Sequence, residues 1–95
     1  MKTKPFDEAD FLKTDENIAA CVTEVLATGD AALITYALGV IARTRGMTRI
    51  ARETGLSRES LYRALSAGGN PEFLTVLKIM EALGLRLTAE RIAAE

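Results

Sequence analysis

The sequence contains no histidine, no tryptophan and one cysteine, Cys21. The absence of histidine removes the residue that proteins use most often as a general base and as a transition-metal ligand. A single cysteine excludes a disulfide within one chain and a cysteine metal cluster, and we expect Cys21 to be a small buried apolar residue rather than a reactive thiol. Because the carboxylates also show no recognisable catalytic spacing, we expect neither an enzyme nor a bound cofactor or metal.

Long apolar runs are also missing. No stretch is long enough to cross a membrane and no N-terminal segment resembles a signal peptide, so we expect a cytoplasmic protein without a membrane partner. The 95 residues include only two prolines and seven glycines, and helix-forming residues dominate, which predicts an all-α fold. A chain of this length forms one domain, whose small core would gain stability from oligomerisation.

Charge is unevenly distributed, although the net charge is only −1. Residues 1–30 carry three lysines against seven carboxylates, whereas residues 31–70 carry six arginines against two glutamates. Arginine suits bidentate contacts with phosphate and guanine better than lysine does. The middle of the chain therefore favours a nucleic-acid surface, and the acidic first third would face away from DNA or meet a basic protein partner.

Residues 47–66 have the pattern of a helix-turn-helix, in which the second of two short helices enters the DNA major groove. Gly55 stands where a chain leaving a helix adopts a left-handed conformation, and Ser57 is a good N-cap for the next helix. Leu61 and Leu65 then define an inner face. A plain helical hairpin is the alternative, but outward arginine, serine and tyrosine side chains favour DNA, since they donate hydrogen bonds to phosphates and bases.

The pattern assigns the outward residues to candidate roles on DNA. The candidate base-contacting residues, on the second helix, are Ser57, Arg58, Glu59, Tyr62 and Arg63. The candidate phosphate-contacting residues, at helix ends and turns, are Arg45, Thr48, Arg49, Ser60, Gly69 and Asn70. Structural alternatives stay open for three of them: Arg45 could complement the negative end of its own helix, and Gly69 and Asn70 could serve only a turn and a cap.

Caps and breakers divide the chain into five helices between an arm and a tail. Residues 1–13 are predicted to be an N-terminal arm, whose phenylalanines pack on the body or bind a partner. Residues 14–84 are predicted to form the helix-turn-helix domain, with Thr14 and Asp30 capping its first two helices. Residues 85–95 are predicted to form a C-terminal strand and tail, and the strand must pair with the arm or with its copy in a dimer.

Apolar spacing predicts which side chains fill the core. In the long helix that follows Asp30, Leu33 is expected to face inward and Gly39 to mark a close helix crossing. In the last helix, which Asn70 is expected to cap, Phe73 and Leu74 are expected to lie in the core.

From Pro5 to Leu87 the chain resembles the Xre/Cro-type helix-turn-helix antitoxins and, more narrowly, the addiction module antidote proteins encoded beside a RelE/HigB-type toxin. The resemblance rests on the arm PFDEADFLKTDENIAA, the core GDAALITYALGVIARTRGMTRIARETGLSRESLYRALS, and the segments GNPEF and ALGLRL. Its most specific part is GLSRESLYRALSAGGNP. It implies a lambda-repressor-like five-helix domain with a short C-terminal strand. It further implies a homodimer that binds a palindromic operator DNA, represses its own operon and neutralises a small basic ribonuclease toxin. A DNA-binding regulator without a toxin partner, or an interaction module that holds a toxin without binding DNA, are the alternatives.

Overall fold

A computed structural model describes residues 14–93. Within this range the chain forms five α-helices: α1 (Asp15–Thr28), α2 (Ala31–Arg45), α3 (Met47–Thr54), α4 (Arg58–Ala64) and α5 (Phe73–Ala82). The all-α class and the number of helices agree with the prediction. The predicted N-terminal arm lies outside the described residues.

Capping side chains accept hydrogen bonds from backbone amides at the N-terminal ends of the first two helices. The Thr14 hydroxyl accepts a hydrogen bond from the Asn17 amide at 3.1 Å. The Asp30 carboxylate accepts from the amides of Ala32 and Leu33 at 3.1 and 3.2 Å. Gly29 ends α1 with φ 68°, in the left-handed region that favours glycine. The predicted caps of α1 and α2 are therefore confirmed.

A single apolar core lies between the helices. α1 packs on α2, and α3 contacts α2, α4 and α5. Because α3 touches three other helices, it holds the α3–α4 pair against the body of the domain. The half-buried Cys21 packs against this core, in agreement with its expected apolar role. The largest fully buried side chains are Ile18, Leu38, Ile41, Ile50, Leu61, Ile79 and Leu83.

Gly39 lies where the end of α4 approaches α2. A Cβ atom at this position would lie 3.2 Å from the Leu65 carbonyl oxygen and 3.2 Å from Nη1 of Arg43. Such contacts are tighter than ordinary van der Waals separation, so a side chain here would push the two elements apart. The expected close crossing is confirmed, and its partner is the C-terminal end of α4.

The predicted C-terminal strand is wrong, since residues 83–93 contain neither helix nor strand. The Leu85 amide donates to the Met80 carbonyl at 2.8 Å and so closes the end of α5. Leu85 and Leu87 pack against the core while Arg86 is exposed. The alternation of apolar and polar residues here therefore arises because the two leucines cover the end of the core. Residues 14–93 also contain no second strand with which this segment could pair.

The start of the last helix also differs from the prediction. α5 begins at Phe73 with Glu72 in the N-cap position, so Asn70 does not cap it. Phe73 and Leu74 are 68% and 59% exposed, because the first turn of α5 extends beyond the edge of the core. The expectation that they lie in the core is wrong, and Leu33, which is 39% exposed, was also wrongly placed.

Candidate nucleic-acid interface

The turn between α3 and α4 is built by Gly55 and Thr54. Gly55 has φ 78° and its amide donates to the Ala51 carbonyl at 2.9 Å. The buried Thr54 hydroxyl donates to the Ala51 carbonyl at 3.3 Å and accepts from the Leu56 amide at 3.2 Å. Sequence reasoning identified the glycine but missed Thr54, whose signal is a hydroxyl directly before the turn glycine.

α4 is a short helix that its N-cap and the core hold in place. The Ser57 Oγ accepts from the Ser60 amide at 3.0 Å and donates to the Ser60 Oγ at 2.9 Å. Leu61 is fully buried and Leu65 is 3% exposed. Since a helix of seven residues is not stable alone, these contacts determine its position. The Ser57 hydroxyl is thereby engaged in the cap.

The outer surface of α4, which we call the recognition face, consists of Arg58, Glu59, Tyr62 and Arg63, and all four are exposed. The guanidinium carbon of Arg58 lies 5.7 Å from the centroid of the Tyr62 ring. Arg63 approaches Glu59 at 4.0 Å, and their side chains are 72% and 86% exposed. Because both contacts are open to water, they are weak and a ligand can replace them.

The recognition face continues into a groove between α4 and α5, which we call the α4–α5 groove. It brings together four candidate DNA-contacting residues that are scattered in the sequence. Ser66 and Thr75 also line it, and sequence reasoning missed both; Thr75 is a polar residue inside an otherwise apolar run. The four candidates are Ser60, Arg63, Gly69 and Asn70.

Gly69 is the tightest point of this groove. A Cβ atom there would lie 2.5 Å from the Ala64 carbonyl oxygen and 2.9 Å from those of Arg63 and Ser66. The Gly69 amide donates to the Ser66 carbonyl at 2.8 Å. Gly69 therefore has the turn role that was left open for it, and it brings the chain back against the end of α4.

Arg45 and Arg49 lie elsewhere, in a concave surface that we call the ion-pair groove, together with Asp15, Glu53 and Glu81. Arg45 pairs with Asp15, and only 16% of its side chain is exposed. The Nε of Arg49 donates to Glu53 at 3.1 Å. Two of the candidate phosphate-contacting residues are thus separated from the α4–α5 groove and already have carboxylate partners.

The beginning of α3 carries the remaining candidate, Thr48. Thr48 is exposed in the first turn of α3, and Gly46 at the N-cap provides no capping side chain. Backbone amides at such a helix start favour an anion. Near the end of α2, Arg43 donates to the Gly39 carbonyl, one turn earlier in the same helix, at 3.2 Å.

In residues 14–93 no three side chains of the metal-binding types are grouped so that they could hold a metal ion. None of the helices described in that range combines the length and hydropathy that a membrane span requires.

The fold and the recognition face together define a small helical protein with an arginine-bearing helix held open to solvent. The model of one family, described as "probable addiction module antidote protein", matches residues 2–91, and the chain belongs to this family. An uncharacterized protein of Haemophilus influenzae (strain ATCC 51907 / DSM 11121 / KW20 / Rd) is 48% identical over 88 residues, which cover 93% of this chain and 91% of that relative. No solved structure matches the chain. An antidote family implies a toxin partner, whose type the description leaves open.

Proposed function

We propose that the chain is the antitoxin of a type II toxin–antitoxin module in the cytoplasm. It binds operator DNA as a homodimer through an Xre/Cro-like helix-turn-helix, represses its own operon and neutralises a RelE/HigB-type ribonuclease toxin. The observation that carries the DNA-binding part is the division of α4, which turns Arg58, Tyr62 and Arg63 to solvent while Leu61 and Leu65 are buried. Membership of an antidote family supports the toxin-binding part.

In this proposal α4 enters the major groove with its recognition face against the base edges. Arg58 and Arg63 suit bidentate hydrogen bonds to guanine O6 and N7, and Glu59 can accept from cytosine N4. Tyr62 offers a hydroxyl and a ring that already contacts Arg58. Ser57, at the N-cap of α4, would also approach the bases, although its hydroxyl accepts the capping hydrogen bond from the Ser60 amide.

Phosphate contacts come from the α4–α5 groove and from the start of α3. Asn70 and the Ser60 hydroxyl can donate to phosphate oxygens, while Gly69 allows the backbone a close approach. Thr48 and Arg49 supply contacts at the start of α3. Arg45 would have to leave Asp15 before it could contact a phosphate.

The charge of the first two helices supports a basic protein partner. From Thr14 to Ala42 these helices carry four carboxylates and no lysine or arginine. Their two arginines, Arg43 and Arg45, follow in the last turn of α2, and Arg45 pairs with Asp15. A surface of one charge sign attracts a protein of opposite sign and speeds their encounter. A small basic ribonuclease fits this requirement, and it would meet the protein on a side other than the recognition face.

The DNA-binding part is tested by fluorescence anisotropy with the DNA immediately upstream of the coding sequence. We expect the chain to bind this DNA. We also expect the logarithm of the association constant to fall linearly with the logarithm of salt concentration, because phosphate contacts release counterions. A scrambled duplex of the same length is the control. Absence of binding at low salt would reject the repressor role and leave a module that only holds a toxin.

The toxin-binding part is tested by expressing the reading frames that flank the gene, each alone and together with this chain. We expect one small basic frame to arrest growth and co-expression to restore it. Operator binding without any rescue would reject the antitoxin role and leave a DNA-binding regulator without a toxin partner.

A further inference from the structure

Two arginines of the basic middle of the chain, Arg43 and Arg52, are not among the candidate DNA-contacting residues. Both side chains are exposed. Within residues 14–93 neither forms an ion pair with a carboxylate. A guanidinium that the fold leaves without a carboxylate stays available for an anionic ligand. The position of each arginine therefore decides whether it belongs to the candidate interface.

The Arg43 guanidinium lies beside the C-terminal end of α4. The point at which a Cβ atom of Gly39 would stand is 3.2 Å from Arg43 Nη1, 3.4 Å from its Nη2 and 3.2 Å from the Leu65 carbonyl oxygen. Leu65 is the C-cap of α4 and follows Arg63 of the recognition face by two residues. The fold thus brings Arg43, which is remote in the sequence, to the end of the helix that carries the recognition face.

One hydrogen bond holds the Arg43 side chain in this position. Its Nη1 donates to the Gly39 carbonyl at 3.2 Å. This bond uses one N–H group of the guanidinium, and the remaining N–H groups can donate to a ligand. Because the side chain is already ordered, it loses less conformational entropy when it binds an anion.

The arginines that were predicted to contact phosphate near the α2–α3 junction are less available than Arg43. Arg45 pairs with Asp15, and Arg49 donates to Glu53. Both lie in the ion-pair groove. Arg43 closes the same helix as Arg45 and carries the same charge, but its charge is not compensated by a carboxylate within residues 14–93.

Arg52 does not share the position of Arg43. It lies in the last turn of α3, and no contact within the described residues places its side chain beside α4. It therefore receives no role here.

The alternative role of Arg43 is structural, because the C-terminal end of α4 carries partial negative charge that a guanidinium stabilises. Its hydrogen bond, however, goes to Gly39 of its own helix, and within residues 14–93 none goes to a carbonyl of α4. If α4 enters the major groove, the phosphates that border this groove run past the surface beside the helix. A guanidinium placed there suits a phosphate oxygen.

We infer that Arg43 is a further phosphate-contacting residue, which holds the DNA backbone beside the C-terminal end of α4. The inference rests on the proposed function, because it needs α4 to enter the major groove. A phosphate contact positions the protein on the duplex without reading its sequence. Arg43 therefore adds affinity for any duplex, whereas Arg58 and Arg63 add affinity for the operator alone.

The test is a salt series of anisotropy titrations with the upstream duplex and with its scrambled counterpart. We expect Arg43→Gln to reduce the slope of log affinity against log salt by about 1, and to weaken binding of both duplexes roughly five- to tenfold at about 0.1 M salt. We expect Arg43→Lys to keep the wild-type slope, because it keeps the charge.

Arg86→Gln is the matched control, since it removes the same charge from another exposed arginine. Arg86 follows the C-terminal end of α5, whereas the α4–α5 groove is lined by Thr75 and by residues that precede α5. We expect its slope to equal that of the wild type. Urea unfolding checks that each variant is folded at the temperature of the titrations.

Three results would overturn the inference. A weaker affinity at an unchanged slope would show that Arg43 only supports the end of α4. An equal fall in slope for Arg86→Gln would show a general effect of net charge. A loss confined to the upstream duplex would show that Arg43 reads bases.

The inference and the proposed function fail in different ways. Operator binding with a slope that Arg43→Gln leaves unchanged would support the repressor role and overturn the phosphate contact. Equal affinity for the two duplexes, with a slope that Arg43→Gln lowers and Arg43→Lys keeps, would support the phosphate contact and reject the repressor role. A wild-type chain that binds neither duplex at low salt would reject both.

Discussion

The α4–α5 groove and the ion-pair groove both contain arginines, but Arg63 in the first is far more exposed than Arg45 in the second. In the α4–α5 groove, the Arg63 side chain is 72% exposed and approaches Glu59 only at 4.0 Å. In the ion-pair groove, the Arg45 side chain is 16% exposed and pairs with Asp15, thirty residues earlier in the chain. One arginine is thus open to a ligand, and the other ties the start of α1 to the end of α2.

This contrast shows that the fold determines whether an arginine can contact a ligand. Arg45 and Arg63 look equivalent as part of one basic segment, and both were candidates for DNA contact. Asp15 is remote from Arg45 in the sequence. Local spacing therefore could not predict that Arg45 forms an internal ion pair and is no longer free to contact DNA. Four comparisons of variants test the contrast, in order of decreasing effect.

The largest effect is expected from removing both arginines of the recognition face. Arg58→Ala/Arg63→Ala should weaken operator binding by about 2–6 kcal/mol, since each base-reading arginine contributes about 1–3 kcal/mol. The free energy of unfolding of this double variant should differ from that of the wild type by less than about 0.5 kcal/mol, because both side chains are exposed. Anisotropy titration and urea unfolding measure the two quantities. Unchanged affinity would remove both arginines from the candidate interface.

The next effect concerns the tight turn that shapes the α4–α5 groove. Gly69→Ala should lower the free energy of unfolding by about 2 kcal/mol or more, because the new Cβ would meet backbone carbonyls that cannot move aside. Gly68→Ala is the matched control: it has open space but φ 79°, so it should cost only about 1 kcal/mol. Equal losses in urea unfolding would contradict the close approach at Gly69.

A smaller effect is expected from removing the N-cap hydroxyl of α4, and the N-cap of α1 serves as the comparison. Ser57→Ala and Thr14→Ala should each reduce stability by about 1 kcal/mol, since each removes an N-cap hydrogen bond. Only Ser57→Ala should also weaken operator binding, because it loosens α4. The comparison fails if Thr14→Ala reduces DNA affinity equally under conditions where both variants are folded.

The smallest effect compares the two arginines of the ion-pair groove. Arg45→Gln should cost about 0.5 kcal/mol of stability, because its partner Asp15 is largely exposed, and should leave the salt dependence of DNA binding unchanged. Arg49→Gln should reduce the slope of log affinity against log salt by about 1, as expected for one phosphate contact. A reduced slope for Arg45→Gln would show that Arg45 leaves Asp15 when DNA binds.

The helices α3 and α4 and the turn between them were predictable because their causes are local. A glycine with positive φ, a serine cap and leucines four residues apart act within a few residues of one another, and Gly55, Ser57, Leu61 and Leu65 behave as expected. The α4–α5 groove was only partly predictable. Its candidate residues were named from their types, but their convergence depends on how residues 66–72 return to α4, which no local pattern specifies.

The errors in the last third have a common physical origin. Apolar spacing shows that a side chain avoids water, but it does not show what covers it. Phe73 and Leu74 were therefore predicted to lie in the core, although they are exposed. Leu85 and Leu87 were likewise predicted to belong to a strand, although they cover the end of the core of their own chain. Both predictions were therefore wrong about the place of these side chains in the fold.

The inward leucines of α4 have a consequence for how such modules diverge. Since Leu61 and Leu65 fix the helix and its outward residues add little to the core, the proposed function implies that a few codon changes at Arg58, Tyr62 and Arg63 would alter the preferred DNA sequence without loss of folding. Under the same proposal, a duplicated copy of the gene would escape repression by the original copy while its toxin-binding side stayed unchanged.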